Sequence, residues 1–374
     1  MKSILVDARV GWTSGIGRYS ANAVPRVARA MPNIRFDILV TPLDASRARA
    51  ASKGVPNLHI REIDLPAFDR AEQWRLPALA RGYDLTWFVN YWVPLAFRSP
   101  FIAVVHDMLH LEPDLFPASR LKRALSRQTF RHLRRHAAGL SFDSRFTQRE
   151  FTRLIGAPRL ARVCGIGIDH DGWPLFDPAH PPAKEHRLLV VAAAKAHKNF
   201  RIAIEAFLQA HIPAHWTLTI VTPDSMLRSS IDVAAMAKSD TRIDIRTGLS
   251  NEELRDLYAK SAIVLMPSLY EGFGLPLLEG LQSGSQAISS TAASLVEVGQ
   301  GAQISFVNPR DLEGWVEAIE AECSRFDRGT VRIEERTANM RRALLHTWDR
   351  VTQSTLELID AATRTQSKRQ QAEQ

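Results

Sequence analysis

The chain has 374 residues, 45% of them hydrophobic and 24% charged, which is long enough for two domains with cores of their own and unlike a disordered or fibrous composition. A formal charge of +8 favours an acidic partner: nucleotide phosphates, an anionic membrane surface or nucleic acid. Cys164 and Cys323 lie far apart and outside any C-x-x-C, so a disulfide framework is excluded and a reducing cytoplasm is the default.

The opening "MKSILVDARVG" is a strand-length apolar run broken by Asp7 and Arg9, without the core and cleavage site of a signal peptide. Strands are expected at "SILVDA", "RFDILVTP", "LHIREID", "DLTWFV", "FIAVVHD" and "GLSFDS", with helices after several of them. The most apolar stretch, from Leu85 to Phe97, is too short to span a bilayer and contains Asn90 and Pro94. From Ser119, "SRLKRALSRQTFRHLRRHAAG" carries seven arginines and lysines and no acid, with Leu121, Leu125, Leu133 and Ala137 as its apolar stripe. Such a helix reads either as a solvated face over a packed stripe or as a peripheral contact with anionic lipid.

"DGWPLFDPAHPPAKEH" concentrates four prolines with little periodicity and is expected to link two α/β domains. Beyond it, strands are expected at "RLLVVAAA", "TLTIVT", "RIDIRTG", "AIVLMP", "QAISS" and "AQISFV", alternating with helices such as "NFRIAIEAFLQA", the signature of a parallel sheet. Ser250 and Glu253 have the spacing of a capping box. The expected organisation is a first Rossmann-like domain over 1–172, a linker over 173–186, a second Rossmann-like domain over 187–345, and a C-terminal helix with a polar tail over 346–374.

The most informative string is "EGFGLPLLEG", residues 271–280. It follows a buried strand; Gly272 and Gly274 loosen the backbone, Pro276 suits a first helical turn and Gly284 can close the helix. A helix start after glycines offers free N–H groups to a phosphate. Glu271 before it and Glu279, expected in its first turn, resolve into an ordering of ligand parts. The backbone takes a diphosphate, Glu279 takes a ribose diol, and Glu271 faces the group being transferred.

With its surroundings, "PSLYEGFGLPLLEGLQSG" resembles the E-x7-E signature of the retaining glycosyltransferases of family 4. "DARVGWTSGIGRYSANAV", "VVHDMLHLEPDLFP", "FDSRFTQREF", "IGID", "HKNFRIAIEAF", "TGLSNEELRDLYAKSAIVLMPSLYEGFG" and "VNPRDLEGWVEAI" follow that family's order over nearly the whole chain. The resemblance implies an α/β GT-B fold: two Rossmann-like domains facing a central cleft, with the C-terminal helix packing back on the first. It implies transfer of a sugar, with retention, from a nucleotide-sugar donor to a saccharide or lipid-linked saccharide, in surface polysaccharide or lipopolysaccharide assembly. Mannose from GDP-mannose is the first donor expected. Glu271 and His106 become the catalytic residues. Gly15, Ile16, Gly17, Lys198, Gly272, Phe273, Gly274, Leu275 and Glu279 become the donor-binding set, and Asn90 and Tyr91 contact the acceptor. No metal, cofactor or nucleic-acid partner is expected, and the implied location is the cytoplasm, at most peripheral to the inner face of the membrane.

Three departures weaken the resemblance locally: Ala192–Ala193 where relatives carry glycine and a partner for Lys198, "VTPDS" without its glycine, and Gln286 where proline is common. Lys195 and Arg18 are the candidate replacement cations. The alternatives are a nucleotide-sugar epimerase, a glycosidase, for which a phosphate-binding helix has no use, and a catalytically impaired protein binding an anionic partner. Asp169, His170 and Asp171 spell D-x-D, read here as solvated linker, and His132 and His136 lack the glutamate of H-E-x-x-H.

Overall fold

A computed structural model describes residues 1–372 apart from 11, 13–14, 117–118, 170–172, 174 and 224–234, and 366–372 as helix backbone only. The chain forms two compact units, one of residues 1–113, 117–167 and 347–374, the other of 114–116 and 168–346.

Among the described residues the first unit has a seven-stranded sheet, β1 (Ser3–Asp7), β2 (Arg35–Val40), β3 (Leu58–Glu62), β4 (Leu85–Phe88), β5 (Phe101–Val105), β6 (Gly139–Phe142) and β7 (Ala161–Val163), in the order β3-β2-β1-β4-β5-β6-β7. Every pairing is parallel. β4, β5 and β6 are buried along their whole length, which is why they read as unbroken apolar runs rather than alternating ones. β7 escaped the sequence reading because it is three residues long on the sheet edge.

The helix Arg120–His136 corrects the expected stripe. Ser126, Thr129, Phe130, His132 and Leu133 face the core, with Ala137 just beyond, so packing begins at Ser126. Leu121 and Leu125 are 80% and 41% exposed.

The helix Trp348–Ala372 closes the first unit, as expected. Val351, Leu358, Ile359 and Ala362 are buried, and Trp348 meets Tyr19 edge-on at 6.3 Å. Gly167 is obligatory beside it, because a Cβ there would fall 2.5 Å from the Trp348 backbone nitrogen.

The second unit repeats the pattern with β8 (Glu185–Val191), β9 (Thr217–Val221), β10 (Ile243–Arg246), β11 (Ser261–Met266), β12 (Gln286–Ser290) and β13 (Ile304–Val307), ordered β10-β9-β8-β11-β12-β13 and all parallel. The Ser250–Glu253 capping box forms in full at the start of the helix Asn251–Lys260.

The segment read as a linker is part of this unit. Trp173 packs on Tyr258 with ring centroids 5.5 Å apart and donates to Ser283 Oγ, while the Phe176 amide donates to the Gln282 carbonyl. Its aromatic residues, not its prolines, decide where it belongs. Asp169 also lies here, its carbonyl accepting from Gln282; His170 and Asp171, the rest of the D-x-D string, lie outside the described residues.

Both sheets have the doubly wound order in which the first strand sits beside the fourth. Ligands of such sheets bind at the carboxyl ends of those two strands, where the chain leaves in opposite directions. The switch point falls between β1 and β4 in the first unit and between β8 and β11 in the second. Among the described residues no helix is long and apolar enough to cross a membrane.

Candidate functional site

In the second unit, the loops leaving β8 and β11 carry Lys198 and Glu271. β8 ends at Val191, a short 3-10 turn spans Ala196–Lys198, and Asn199 follows in the left-handed region with φ 55°. Its side-chain amide donates to the carbonyls of Pro267 and Pro309, so one residue ties together the loops after β8, β11 and β13. The Leu269 amide adds a bond to the His197 carbonyl at 2.7 Å.

Lys198 Nζ lies 2.6 Å from Glu271 Oε1, and the same oxygen accepts from Ser268 Oγ at 2.7 Å. Glu271 is only 8% exposed. The glycine loop behind it is held by serines: Ser294 Oγ lies 2.9 Å from the Glu271 carbonyl and 3.0 Å from that of Phe273, and Ser290 Oγ donates to the Ser268 carbonyl. These serines went unnoticed in the sequence because their partners are backbone carbonyls; "AISS" reads only as a strand.

Gly274 has φ 108°, and a Cβ on it would lie 2.5 Å from Leu295 Cδ2, so both conformation and space demand glycine. It caps the helix Leu275–Gln282, with Pro276 in the opening positions and Gly284, φ 73°, beyond its end. Because the helix begins at Leu275, Glu279 is its fifth residue and belongs to the second turn, not the first. Glu279 is buried, and Gly280 behind it lets the helix lie against Val264 of β11.

Lys198, Glu271, Gly272, Phe273, Gly274, Leu275 and Glu279 thus occupy one contiguous region at the β8/β11 switch point. Ala192 and Ala193 follow β8 directly, and Lys195, exposed, is held by its amide to the Ala193 carbonyl. A separate hollow of about 280 Å³ opens beside Asn199, lined by Arg201, Leu269, Pro309 and Arg310; neither Lys198 nor the two glutamates line it.

In the first unit, Gly15, Ile16 and Gly17 are the first turn of the helix Gly15–Ala30, not a free loop. Gly17 is the constrained member: a Cβ would fall 2.3 Å from the Trp12 backbone carbonyl carbon. Before it, the "DAR" at the end of β1 opens a buried ion cluster. Arg9 bonds both oxygens of Asp7, Glu72 Oε1 and the Leu65 carbonyl at 2.8–2.9 Å. Burial works against the guanidinium charge, but Asp7 and Glu72 outweigh it and hold the Arg9 pKa above its ordinary value.

His106, beyond β5, is bound on both sides: Nδ1 lies 2.7 Å from Asp143 Oδ2 and Nε2 lies 2.8 Å from the Val89 carbonyl. A carbonyl only accepts, so Nε2 carries a proton. Burial disfavours the cation, but the Asp143 carboxylate and the Val89 carbonyl overcome it and raise the His106 pKa. Asp143 belongs to "FDSRFTQREF", but its partnership with His106 has no local sequence signal. Asn90 and Tyr91 follow β4 and are buried. The Tyr91 ring stacks on Phe130 at 4.5 Å and its hydroxyl meets His110 Nδ1, so it serves the core.

Residues 185–323 match the family model described as glycosyl transferases group 1, and the second unit carries that domain. The chain is 29% identical over 162 residues to the MMP alpha-(1->4)-mannosyltransferase of Mycolicibacterium hassiacum, covering 42% of this chain and 38% of that protein. It is 30% identical over 140 residues to the O-antigen chain mannosyltransferase RfbU of Salmonella typhimurium, covering 36% and 38% respectively. The chain therefore spans well under two thirds of the curated relatives it matches. In fold it is similar to HepE of Anabaena, solved in complex with UDP and glucose, with a TM-score of 0.75 at 15% identity over 96% of this chain and 100% of that one. The two-unit α/β architecture is the GT-B fold.

Proposed function

With a group 1 glycosyltransferase domain in the second unit as the premise, we propose that the protein transfers a sugar from a nucleotide-sugar donor to a saccharide or lipid-linked saccharide, with retention of configuration. The observation that carries this reading is the Lys198–Glu271 pair at the β8/β11 switch point, next to the glycine-capped helix that holds Glu279. Mannosyltransferases among the relatives support GDP-mannose as the first donor to test, and the O-antigen relative supports surface polysaccharide or lipopolysaccharide assembly as the proposed setting.

The chemistry follows from charge. A nucleoside diphosphate leaves readily once its developing negative charge is stabilised. Lys198 Nζ and the backbone amides at the start of the Leu275–Gln282 helix supply that stabilisation. Glu271 uses Oε1 for Lys198 and Ser268, which leaves Oε2 for a sugar hydroxyl or for the positive charge that develops as the glycosidic bond breaks. Glu279 takes the ribose. No metal is required in this scheme. For the first unit taken by itself, the opening amides of the helix at Gly15, Ile16 and Gly17 are assigned an anion contact, Asn90 an acceptor contact, and His106 a sugar contact that displaces its bond to Val89.

A thermal-shift screen of GDP- and UDP-sugars tests the reading. One donor class should raise the melting temperature, and Glu279→Ala should abolish that rise while the protein stays folded. If no nucleotide sugar shifts the wild-type protein, the transferase reading fails and an anionic-surface binding protein takes its place.

Peripheral membrane contact is favoured by the exposed Leu121 and Leu125 on the basic helix Arg120–His136, since apolar side chains among cations suit an anionic interface. Sedimentation with phosphatidylglycerol vesicles should carry the protein down, and Leu121→Glu with Leu125→Glu should release it. Equal sedimentation of both proteins would remove this contact.

A further inference from the structure

At the end of the second sheet opposite the switch point, three side chains from distant parts of the chain converge. His186 is the second residue of β8, His215 lies two residues before β9, and Asp327 ends the helix Leu312–Asp327. His186 Nε2 is 3.2 Å and His215 Nε2 is 3.5 Å from the same oxygen, Asp327 Oδ1, and the three atoms lie within 4.8 Å of one another.

We propose that His186, His215 and Asp327 form a structural site for a divalent transition-metal ion, Zn²⁺ being the expected occupant. Zinc holds imidazole nitrogen and carboxylate oxygen at about 2.0–2.1 Å in tetrahedral geometry, which sets neighbouring ligand atoms about 3.3 Å apart. The two nitrogen–oxygen separations bracket that value. Two imidazoles and one carboxylate suit zinc, cobalt or nickel rather than calcium or magnesium, which prefer oxygen alone.

The surroundings hold the ligands in place. Trp216, fully buried, donates its indole N–H to Asp327, 3.2 Å from Oδ1 and 3.1 Å from Oδ2, the outer-shell contact that fixes a ligating carboxylate. The His186 ring is walled edge-on by Trp216 at 5.1 Å and by Phe326 at 5.3 Å. His215 lies 53% exposed and His186 42% exposed, so an ion has a path from solvent and water can complete the coordination. The place is structural: an ion here clamps the starts of two adjacent strands to the end of the helix that follows β13, remote along the strands from Lys198 and Glu271.

The test uses the untagged 374-residue chain, stripped with chelator and titrated with Zn²⁺ and Co²⁺. One ion should bind per chain, raise the melting temperature, and with Co²⁺ give the visible bands of four-coordinate cobalt. His215→Ala, at an exposed position, should weaken binding at least about tenfold and remove the cobalt bands. His211→Ala, an exposed histidine paired with Glu320 and outside the triad, should leave both intact. Asp327→Asn provides a second variant that retains an acceptor for Trp216. Absence of saturable binding, or equal binding by wild type and His215→Ala, overturns the site. Donor affinity should be unchanged by chelation, which keeps this result independent of the glycosyltransferase reading.

Discussion

Lys198 and Glu271 are 73 residues apart and meet at 2.6 Å, each leaving one of the two strands that flank the switch point of the second sheet. Neither side chain is fully exposed, so the pair is electrostatically stronger than a surface bridge yet reachable by a ligand. Lys198→Met should reduce kcat about 10²-fold or more, the usual cost of losing one group that stabilises developing charge. It should also weaken nucleoside diphosphate binding. Glu271→Gln keeps the shape and the Ser268 contact, so it should lower kcat while changing nucleotide affinity little. Steady-state kinetics and calorimetry with the nucleoside diphosphate separate the two effects; equal loss of nucleotide affinity in both variants would contradict the assigned roles.

Gly274→Ala should damage the site by geometry. The substitution places an L residue at φ 108° and a methyl group 2.5 Å from Leu295 Cδ2, a cost of about 1–3 kcal/mol. The helix start should tilt, and donor affinity should fall more than overall stability does. Chemical denaturation and donor titration on the same variant give that comparison.

Arg9→Met should destabilise the first unit by about 3–5 kcal/mol, because removing the cation leaves Asp7 and Glu72 buried beside each other without compensation. Both acids are almost wholly inaccessible. Urea denaturation should show the loss, and restoring stability with the added changes Asp7→Asn and Glu72→Gln would identify the stranded charges as its source.

His132 makes the first unit sensitive to acid. Burial, reinforced by His136 and Arg98, pushes its pKa down to about 4, against about 6.5 for an exposed histidine. The folded state therefore resists a proton that the unfolded chain accepts below pH 6.5. Stability is full above that range and falls as pH drops towards 4, with this group costing about 2 kcal/mol at pH 5. His136 is shifted in the same direction. Denaturation at pH 7.5 and pH 5.0 should show a smaller acid loss for His132→Leu than for wild type; identical losses would assign the effect elsewhere.

Twelve of the described strands were legible: the central ones because parallel strands covered on both faces are short apolar runs between helical patterns, as "FIAVVHD" and "AIVLMP" are, and the half-exposed edge strands β3 and β10 because apolar and polar residues alternate along them. The glycine-and-glutamate string was legible because its members are adjacent. What stayed hidden depends on residues that meet only in three dimensions: Asp143 against His106, Ser294 under the glycine loop, Asn199 joining three loops, and His186 and His215 around Asp327. The proline-rich stretch misled for a related reason. Proline content describes backbone stiffness, whereas Trp173 and Phe176 determine which core the segment joins. The stripe Leu121 to Ala137 misled because periodicity names a face without showing where along the helix that face meets its partner.

The return of the helix Trp348–Ala372 to the first unit gives the polypeptide an order of assembly. As the chain emerges from the ribosome, residues 168–346 are complete before the first unit has received its last helix. Until Trp348 arrives beside Gly167 and Tyr19, and Leu358 settles over Gly139, apolar surface on β6 and on the helix Gly15–Ala30 stays uncovered. The unit begun first is therefore completed only after the second has been made, and the nascent chain depends on the helix Trp348–Ala372 to cover that apolar surface.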